Sequence, residues 1–336
     1  MIDPCHLEWP DRIRRDLGGC ALRCLLVFLS ACVPTASARI CSPANAPPSA
    51  HALPSPTVAP SPAVAPSPAK AAEPVRPTQF TIGNSELRYL PRSANGREYT
   101  LQVLLPWSWW DHPDRHYPVL YLLDGFWNFR VMAGLYSYLY NDQKAPEFIT
   151  VGISYTGFDE GSNYERIRCD EYLSVKEMDC GGRASEFLSV LEKQIFPYVE
   201  SELKGDPSYR VIAAPSLAAT FALYSLFQKP ALFQGYILVT PDVLSGKNWA
   251  FAAEKTFAAT NRTLKARMHI SIGADDNPTL NGAIRRFSDQ LAARRYKLFE
   301  QKFQIIEAEG HISLTPEALM RGVAFTFAPL VKSSQK

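Results

Sequence analysis

The 336-residue sequence lacks the features that mark several common protein classes. It has no glycine-rich phosphate loop, no dinucleotide-binding fingerprint and no cysteine or histidine cluster with the spacing of metal ligands. We therefore expect neither a cofactor nor a metal site. The chain also has no large excess of charge of one sign, since its 35 lysines and arginines nearly balance its 33 acidic residues. A net charge of +2 argues against nucleic acid as the partner.

Residues 1–41 have the pattern of an export signal, because arginines precede an apolar run over 24–31 that is too short to span a bilayer. Two processing sites compete. Leu-Ser-Ala before Cys32 resembles a bacterial lipobox, which predicts lipidation of Cys32, whereas Ala-Ser-Ala at 36–38 resembles an ordinary cleavage site. The lipobox is favoured, which predicts a periplasmic protein or a lipoprotein anchored to the membrane of a bacterial envelope.

Residues 42–78 consist mostly of proline, alanine and serine and contain almost no large apolar side chain. Such a segment cannot bury enough surface to offset its conformational entropy. It is therefore expected to be a disordered, extended tether. The folded domain is then expected to span 79–336.

From residue 79 onward, strand and helix patterns alternate, which predicts an α/β fold with a mostly parallel sheet and helices on both faces. In such sheets the ligand crevice lies at the carboxyl ends of the strands. The predicted strands are 97–105, 118–123, 148–153, 210–214, 235–239, 268–272 and 302–307. The predicted helices are 129–140, 184–203, 217–228, 282–295 and 316–331, with an insertion around 248–260.

Ser216 stands where a buried strand turns into a helix within a few residues. A serine there can act as a nucleophile beside the free N–H groups of the helix, but serine is also a favoured helix cap. The nucleophile elbow of hydrolases reads G-x-S-x-G, whereas this chain has Ala214 and Ala218 in place of the two glycines. The motif alone does not decide whether Ser216 is a nucleophile or a helix cap.

A nucleophilic serine needs a base and an acid, and the chain order serine, acid, histidine is that of α/β-hydrolases. His311 lies in a loop before the last predicted helix and is the favoured base, whereas His269 alternates inside a strand and is expected to be interior. Asp275 and Asp276 follow the strand 268–272. Asp276 is preferred as the acid, although a capping role remains open and Glu309 is a weaker third candidate.

The oxyanion of an acyl-transfer reaction needs two backbone donors. The Leu217 N–H, directly after the serine, is one candidate. The second is expected from the turn after strand 118–123, where Gly125 lets the backbone approach a substrate. Phe126 or Trp127 would line the acyl pocket. The alternative is that this turn only connects a strand to a helix.

Several segments together resemble the putative-esterase family of α/β-hydrolases, which includes enterochelin (ferric-siderophore) esterases, S-formylglutathione hydrolases and feruloyl esterases. The similarity runs through 97–106, 117–129, 187–200, the Ser216 unit and 309–325. It implies an α/β-hydrolase fold and a serine–histidine pair. The segment 166–170 resembles the family's arginine-rich loop beside the active site, which makes Arg166 and Arg168 candidates for contact with an anionic substrate; exposed arginines are also commonly solvated surface.

Cys169 and Cys180 lie close enough in sequence to close a small disulfide loop in an oxidising compartment. The sequence as a whole predicts an exported serine ester hydrolase that acts through an acyl-enzyme on a small-molecule, siderophore or carbohydrate ester. Two alternatives remain, namely a tethered binding protein without catalysis and an acyltransferase that uses the same serine.

Overall fold

The computed structural model describes residues 81–157, 163–177 and 179–334. The predicted export signal, with Cys32, and the predicted tether over 42–78 lie outside the described residues. Within the described ranges, no helix is both long and apolar enough to cross a bilayer.

In the part of the chain that the structure describes, eight strands form one sheet in the order β1-β2-β4-β3-β7-β8-β9-β10, and β5 pairs with β6 in a small separate hairpin. Strand β2 is antiparallel to both its neighbours, and every pairing from β4 across to β10 is parallel. This is the sheet of an α/β-hydrolase fold, as the sequence predicted. The strands are β1 (Ser85–Tyr89), β2 (Tyr99–Leu104), β3 (Tyr117–Leu122), β4 (Ile149–Tyr155), β5 (Lys176–Glu177), β6 (Cys180–Gly181), β7 (Gly205–Pro215), β8 (Gly235–Val239), β9 (Thr263–Gly273) and β10 (Lys297–Ile306).

The helices cover both faces of this sheet. They are α1 (Gly125–Asn141), α2 (Tyr164–Tyr172), α3 (Ala184–Val190), α4 (Phe196–Glu202), α5 (Leu217–Gln228), α6 (Ser245–Thr260), α7 (Pro278–Arg294) and α8 (Thr315–Ser334). A π-helical turn, Leu191–Ile195, joins α3 to α4, so the single helix predicted over 184–203 has a widened middle. Pro197, the second residue of α4, has no N–H to donate to the preceding turn.

The alternation of side chains along each strand builds two hydrophobic cores. In β7, Val211 and Ala213 face the core shared with α1 and α8, while Ile212 and Ala214 face the larger core shared with α2–α7. This two-sided burial explains why the central strands are continuous apolar runs in the sequence. It also leaves the carboxyl ends of the strands as the place where polar side chains collect.

Two parts of the chain differ from the sequence prediction. The segment 166–170, expected as a loop, lies inside helix α2. Its many charged residues obscure the helical pattern, because their partners are distant in the sequence. Arg97, in the segment before β2, pairs with both Asp170 and Glu171. The region around 248–260, expected as an insertion, is helix α6, whose first turn contains three consecutive residues with positive φ, Gly246, Lys247 and Asn248.

Candidate active site

Ser216 occupies a strained turn between the last residue of β7 and the first residue of α5. Its φ of 49° and ψ of −122° are unusual for a residue with a side chain, and such strain persists only where the surroundings fix it. Three backbone hydrogen bonds do so: the Ser216 N–H donates to Val239 (2.8 Å), and its carbonyl accepts from Ala219 (3.0 Å) and Asp242 (3.1 Å). The turn is therefore held in a conformation that lifts the serine side chain out of the sheet.

The hydroxyl of Ser216 makes no capping hydrogen bond to α5, although the residue stands at the cap position. Its Oγ lies 3.0 Å from Nε2 of His311 instead. Of the two interpretations that the sequence left open, the geometry therefore matches the one that pairs serine with a base.

The two alanines that replace the glycines of the elbow are both fully buried. Ala214 and Ala218 each have 0% exposure and pack into the core beneath α5. Their methyl groups therefore fill space that a glycine would leave empty, and the turn at Ser216 forms with them in place.

His311 is held from its other side by Asp276. The imidazole Nδ1 lies 2.8 Å from Oδ2 of Asp276, whose side chain is 6% exposed, while that of His311 is 38% exposed. The capping role that the sequence allowed for Asp276 belongs to Asn277, whose side-chain oxygen accepts the N–H groups of Thr279 and Leu280 at the start of α7. Asp276 accepts the N–H of Asn277 on Oδ1 (2.6 Å), which leaves Oδ2 for the histidine.

The other two acidic candidates contact the histidine loop differently. Asp275 is exposed, and its backbone N–H donates to the carbonyl of Glu309 at 3.0 Å. In the described part of the chain, no hydrogen bond joins the carboxylate of either Asp275 or Glu309 to His311. Only Asp276 was thus brought together with Ser216 and His311.

The two candidate oxyanion donors lie just beyond the carboxyl ends of the neighbouring strands β3 and β7. Leu122 of β3 pairs with Ala213 of β7, so Gly125 and Ser216 each lie three residues beyond a paired position. Leu217 and Gly125 are the first residues of α5 and α1, where backbone N–H groups have no acceptor inside the helix. Neither N–H has a hydrogen-bond acceptor among the residues described.

Gly125 also has a packing role that the sequence did not indicate. A Cβ at this position would stand 2.6 Å from the carbonyl carbon of Gly152 and 2.7 Å from the nitrogen of Ile153, both in β4. Only glycine therefore lets α1 begin this close to the sheet. Phe126 and Trp127 follow directly, with their rings in edge contact at 5.1 Å; Trp127 is 60% exposed.

The two arginines that were candidates for substrate contact have different surroundings. The Arg166 side chain is 57% exposed and pairs with Asp179 at 3.1 Å. The Arg168 side chain is only 13% exposed and pairs with the buried carboxylate of Asp124 and with Glu165. A buried Asp124 was not anticipated, because nothing local in the sequence distinguishes it from an ordinary turn residue.

A disulfide joins Cys169 of α2 to Cys180 of β6, with 5.7 Å between the two Cα atoms. It fastens the hairpin of β5 and β6 to the helix that carries Arg168. His269 lies inside β9 with 0% exposure, as expected of an interior histidine. In the ranges that the structure describes, no group of three or more histidine, cysteine or acidic side chains is placed to hold a metal ion.

A family model described as putative esterase matches residues 93–311, about two thirds of the chain. The chain belongs to the putative-esterase family. The matched range begins before β2 and ends at His311, so it contains Ser216, Asp276 and the whole β3–α1 turn.

Relatives within and around this family include siderophore esterases. The ferri-bacillibactin esterase BesA of Bacillus subtilis (strain 168) is 24% identical over 270 residues, which cover 74% of this chain and 92% of the relative. The crystal structure of the BES protein from Bacillus cereus matches with a TM-score of 0.68 at 22% identity, covering 76% of this chain and 99% of that one. The siderophore hydrolase EstB from Aspergillus nidulans matches with a TM-score of 0.66 at 19% identity, covering 75% and 98%. These structural matches establish the fold.

Proposed function

We propose that this protein is an exported serine ester hydrolase that works through an acyl-enzyme. The observation that carries the proposal is the continuous contact from Ser216 Oγ to His311 Nε2 (3.0 Å) and from His311 Nδ1 to Asp276 (2.8 Å). These distances are within hydrogen-bond reach for a nucleophile, its general base and the group that orients the base. Membership of an esterase family supports the same chemistry.

In the first half of the reaction, Ser216 Oγ attacks the carbonyl carbon of the ester and its proton passes to Nε2 of His311. The Asp276 carboxylate holds the proton on Nδ1 and stabilises the imidazolium that forms. The negative charge moves to the former carbonyl oxygen, where the N–H groups of Leu217 and Gly125 are the donors. Collapse of this intermediate breaks the bond to the alcohol, which leaves with the proton from His311.

In the second half, water enters and loses a proton to His311 as its oxygen attacks the acyl carbon. The same two donors stabilise the second oxyanion, and the acid departs as Ser216 takes its proton back. One water, together with the groups of the chain and the substrate, balances these steps.

The substrate that we propose is a siderophore-type ester, a bulky and polar molecule with ester links in its backbone. The name of the Bacillus subtilis relative supports this class. The exposure of the site agrees with a large substrate, because Trp127 is 60% exposed and Ile312, next to the histidine, is 80% exposed. The solvent-exposed surfaces of both side chains can contact aromatic parts of such an ester.

The test is a panel of esters, including siderophore trilactones and acetylated or feruloylated sugars, assayed with wild type, Ser216→Ala and Ser201→Ala. Ser201 is an exposed serine of α4 and serves as the matched control. We expect turnover to vanish in Ser216→Ala, persist in Ser201→Ala and be fastest on the trilactone. Equal turnover by wild type and Ser216→Ala would refute the proposal, and preference for another ester would refute only the substrate.

The proposal of export includes lipidation of Cys32 as the first residue of the mature protein. The apolar run before Cys32 and the proline-rich segment after it support this arrangement. Expressed in a bacterium, the protein should partition into the membrane fraction with a diacylglyceryl group on its amino-terminal cysteine, and Cys32→Ser should release it. A mature protein that begins after residue 38 without lipid would support ordinary signal cleavage instead.

A further inference from the structure

A buried carboxylate stands at the start of α1, one residue before a candidate oxyanion donor. Asp124 is 3% exposed and occupies the cap position of α1 in a left-handed conformation, with φ of 52° and ψ of 45°. An aspartate at a helix cap ordinarily accepts backbone N–H groups of the first turn. Asp124 makes no such bond with its side chain.

Among the residues that the structure describes, four donors hold the carboxylate instead, and all four belong to helix α2. Arg168 donates from Nε (2.9 Å) and Nη2 (2.7 Å) in a two-pronged pair, and the hydroxyls of Tyr164 (2.7 Å) and Tyr172 (3.1 Å) donate to the same oxygen. Burial, followed by the charge of Asp124, raises the pKa of both tyrosines, so both stay protonated and able to donate. All these donors draw the carboxylate away from α1.

Release of this carboxylate would have a direct chemical consequence. The positive end of a helix dipole attracts an anion, and a free Asp124 side chain would turn to cap α1. Its negative charge would then lie beside the Gly125 N–H, where an oxyanion must form, and would oppose that charge.

We propose that Arg168, with Tyr164 and Tyr172, is a positioning residue that keeps the Asp124 carboxylate off the first turn of α1 and so keeps the Gly125 N–H available for the oxyanion. This inference rests on the proposed esterase function. It replaces the sequence-based expectation that Arg168 binds an anionic substrate, because the Nε–Nη2 edge of the guanidinium already holds Asp124 and its Nη1 pairs with Glu165.

A positioning role and a substrate-binding role of Arg168 predict different effects of Arg168→Ala on activity. The effects differ in whether they depend on the charge of the substrate and on the presence of Asp124. A positioning residue acts on the transition state, so Arg168→Ala should lower kcat on neutral p-nitrophenyl acetate by about 10- to 100-fold with little change in KM. The kcat on the anionic ester mono-p-nitrophenyl succinate should fall by the same factor. Inhibition by a trifluoromethyl ketone, whose adduct with the serine is an oxyanion, should weaken in parallel.

The decisive comparison uses Asp124→Gly, which removes the competing carboxylate and suits the left-handed backbone. In the Asp124→Gly background, Arg168→Ala should change kcat by less than about threefold, because the carboxylate that Arg168 positions is no longer present. The double variant also leaves no unpaired buried charge. If Arg168→Ala alone does not fold, Arg168→Lys carries the same comparison, since lysine keeps the charge but not the planar fork.

Arg294→Ala is the control for removing an arginine that pairs with a buried carboxylate, although the Arg294 side chain is 36% exposed. Arg294 holds the buried Glu254 through Nε and Nη2, both at 2.9 Å, and Tyr296 adds a hydroxyl at 2.8 Å, far along α7 from the site. It should leave kcat within about twofold of wild type.

Equal losses from Arg168→Ala with and without Asp124, or a loss confined to KM for the anionic ester, would overturn the inference. A normal kcat in Arg168→Ala would do the same. Turnover that survives Ser216→Ala would instead overturn the proposed function, so the two failures are distinguishable.

Discussion

Gly273 lies directly against the backbone of Glu309. A Cβ at Gly273 would stand 2.2 Å from the carbonyl oxygen of Glu309 and 2.7 Å from that of Gly310. Strand β9 ends at Gly273 and Asp276 follows three residues later, while Glu309 and Gly310 lead into His311. The absence of a side chain at Gly273 therefore allows the loop that carries His311 to lie this close to the end of β9, three residues before Asp276.

Gly273→Ala should push the histidine loop away from the end of β9. Because the clash is with backbone, the loop must move, and misplacement by about 1 Å is expected to lower kcat on the order of 100-fold. Gly282→Ala in α7 is the control, since its Cβ would meet only the Arg286 side chain at 3.5 Å. Kinetics on a nitrophenyl ester, with melting curves for both variants, test this. A Gly273→Ala enzyme with wild-type kcat would show that the contact is unimportant.

Asp276→Asn should lower kcat by roughly 10²- to 10⁴-fold, because an amide cannot stabilise the imidazolium and favours the wrong imidazole tautomer. Asp275→Asn, one residue earlier and exposed, should stay within a few-fold of wild type. The two variants are matched in chemistry and position. The reverse order of effects on kcat would transfer the acid role to Asp275.

Because of His269, the free energy of unfolding should decrease as the pH falls below neutral. Burial lowers its pKa from 6.5 to about 4, so the unfolded chain binds a proton more readily than the folded one between these values. The stability that depends on neutral His269 is therefore complete above pH 6.5 and is lost as pH falls towards 4. A full loss corresponds to about 3 kcal/mol in the free energy of unfolding.

Urea unfolding of wild type and His269→Phe at pH 7.5 and pH 4.5 measures the contribution of His269 to the pH dependence of stability. Wild type should lose roughly 2.5 kcal/mol more than the variant between these two pH values. His116→Gln, which alters an exposed histidine, is the control and should follow wild type. Identical pH dependence in wild type and His269→Phe would contradict the assignment.

Ala218→Gly, which restores one glycine of the usual elbow, should not accelerate the enzyme. Ala218 is fully buried near the start of α5, so glycine removes a packed methyl and loosens the helix. The expected loss of stability is about 1–2 kcal/mol, with kcat within about threefold of wild type. A large gain in kcat would mean that the alanine impedes the turn at Ser216.

The sheet and the positions of Ser216 and His311 were predictable because they depend on local patterns. Buried parallel strands are continuous apolar runs, and in α/β folds the residues just after them converge at one edge. The β8 bounds Gly235–Val239 and the α5 bounds Leu217–Gln228 agree with the prediction for this reason.

The choice between Asp275 and Asp276, and the role of Arg168, were not predictable from spacing. Adjacent carboxylates point in different directions according to a turn whose shape depends on the cap at Asn277. Arg168 is 44 residues from its partner Asp124, and no periodicity links the two. Contacts of this kind depend on tertiary packing, which a single sequence does not display.

The most direct test of the account is covalent labelling by a fluorophosphonate, followed by peptide mass mapping. The account predicts one adduct, on Ser216, that is absent in Ser216→Ala and forms far more slowly in His311→Ala. An adduct on another residue, or no adduct on folded protein that still hydrolyses esters, would contradict it.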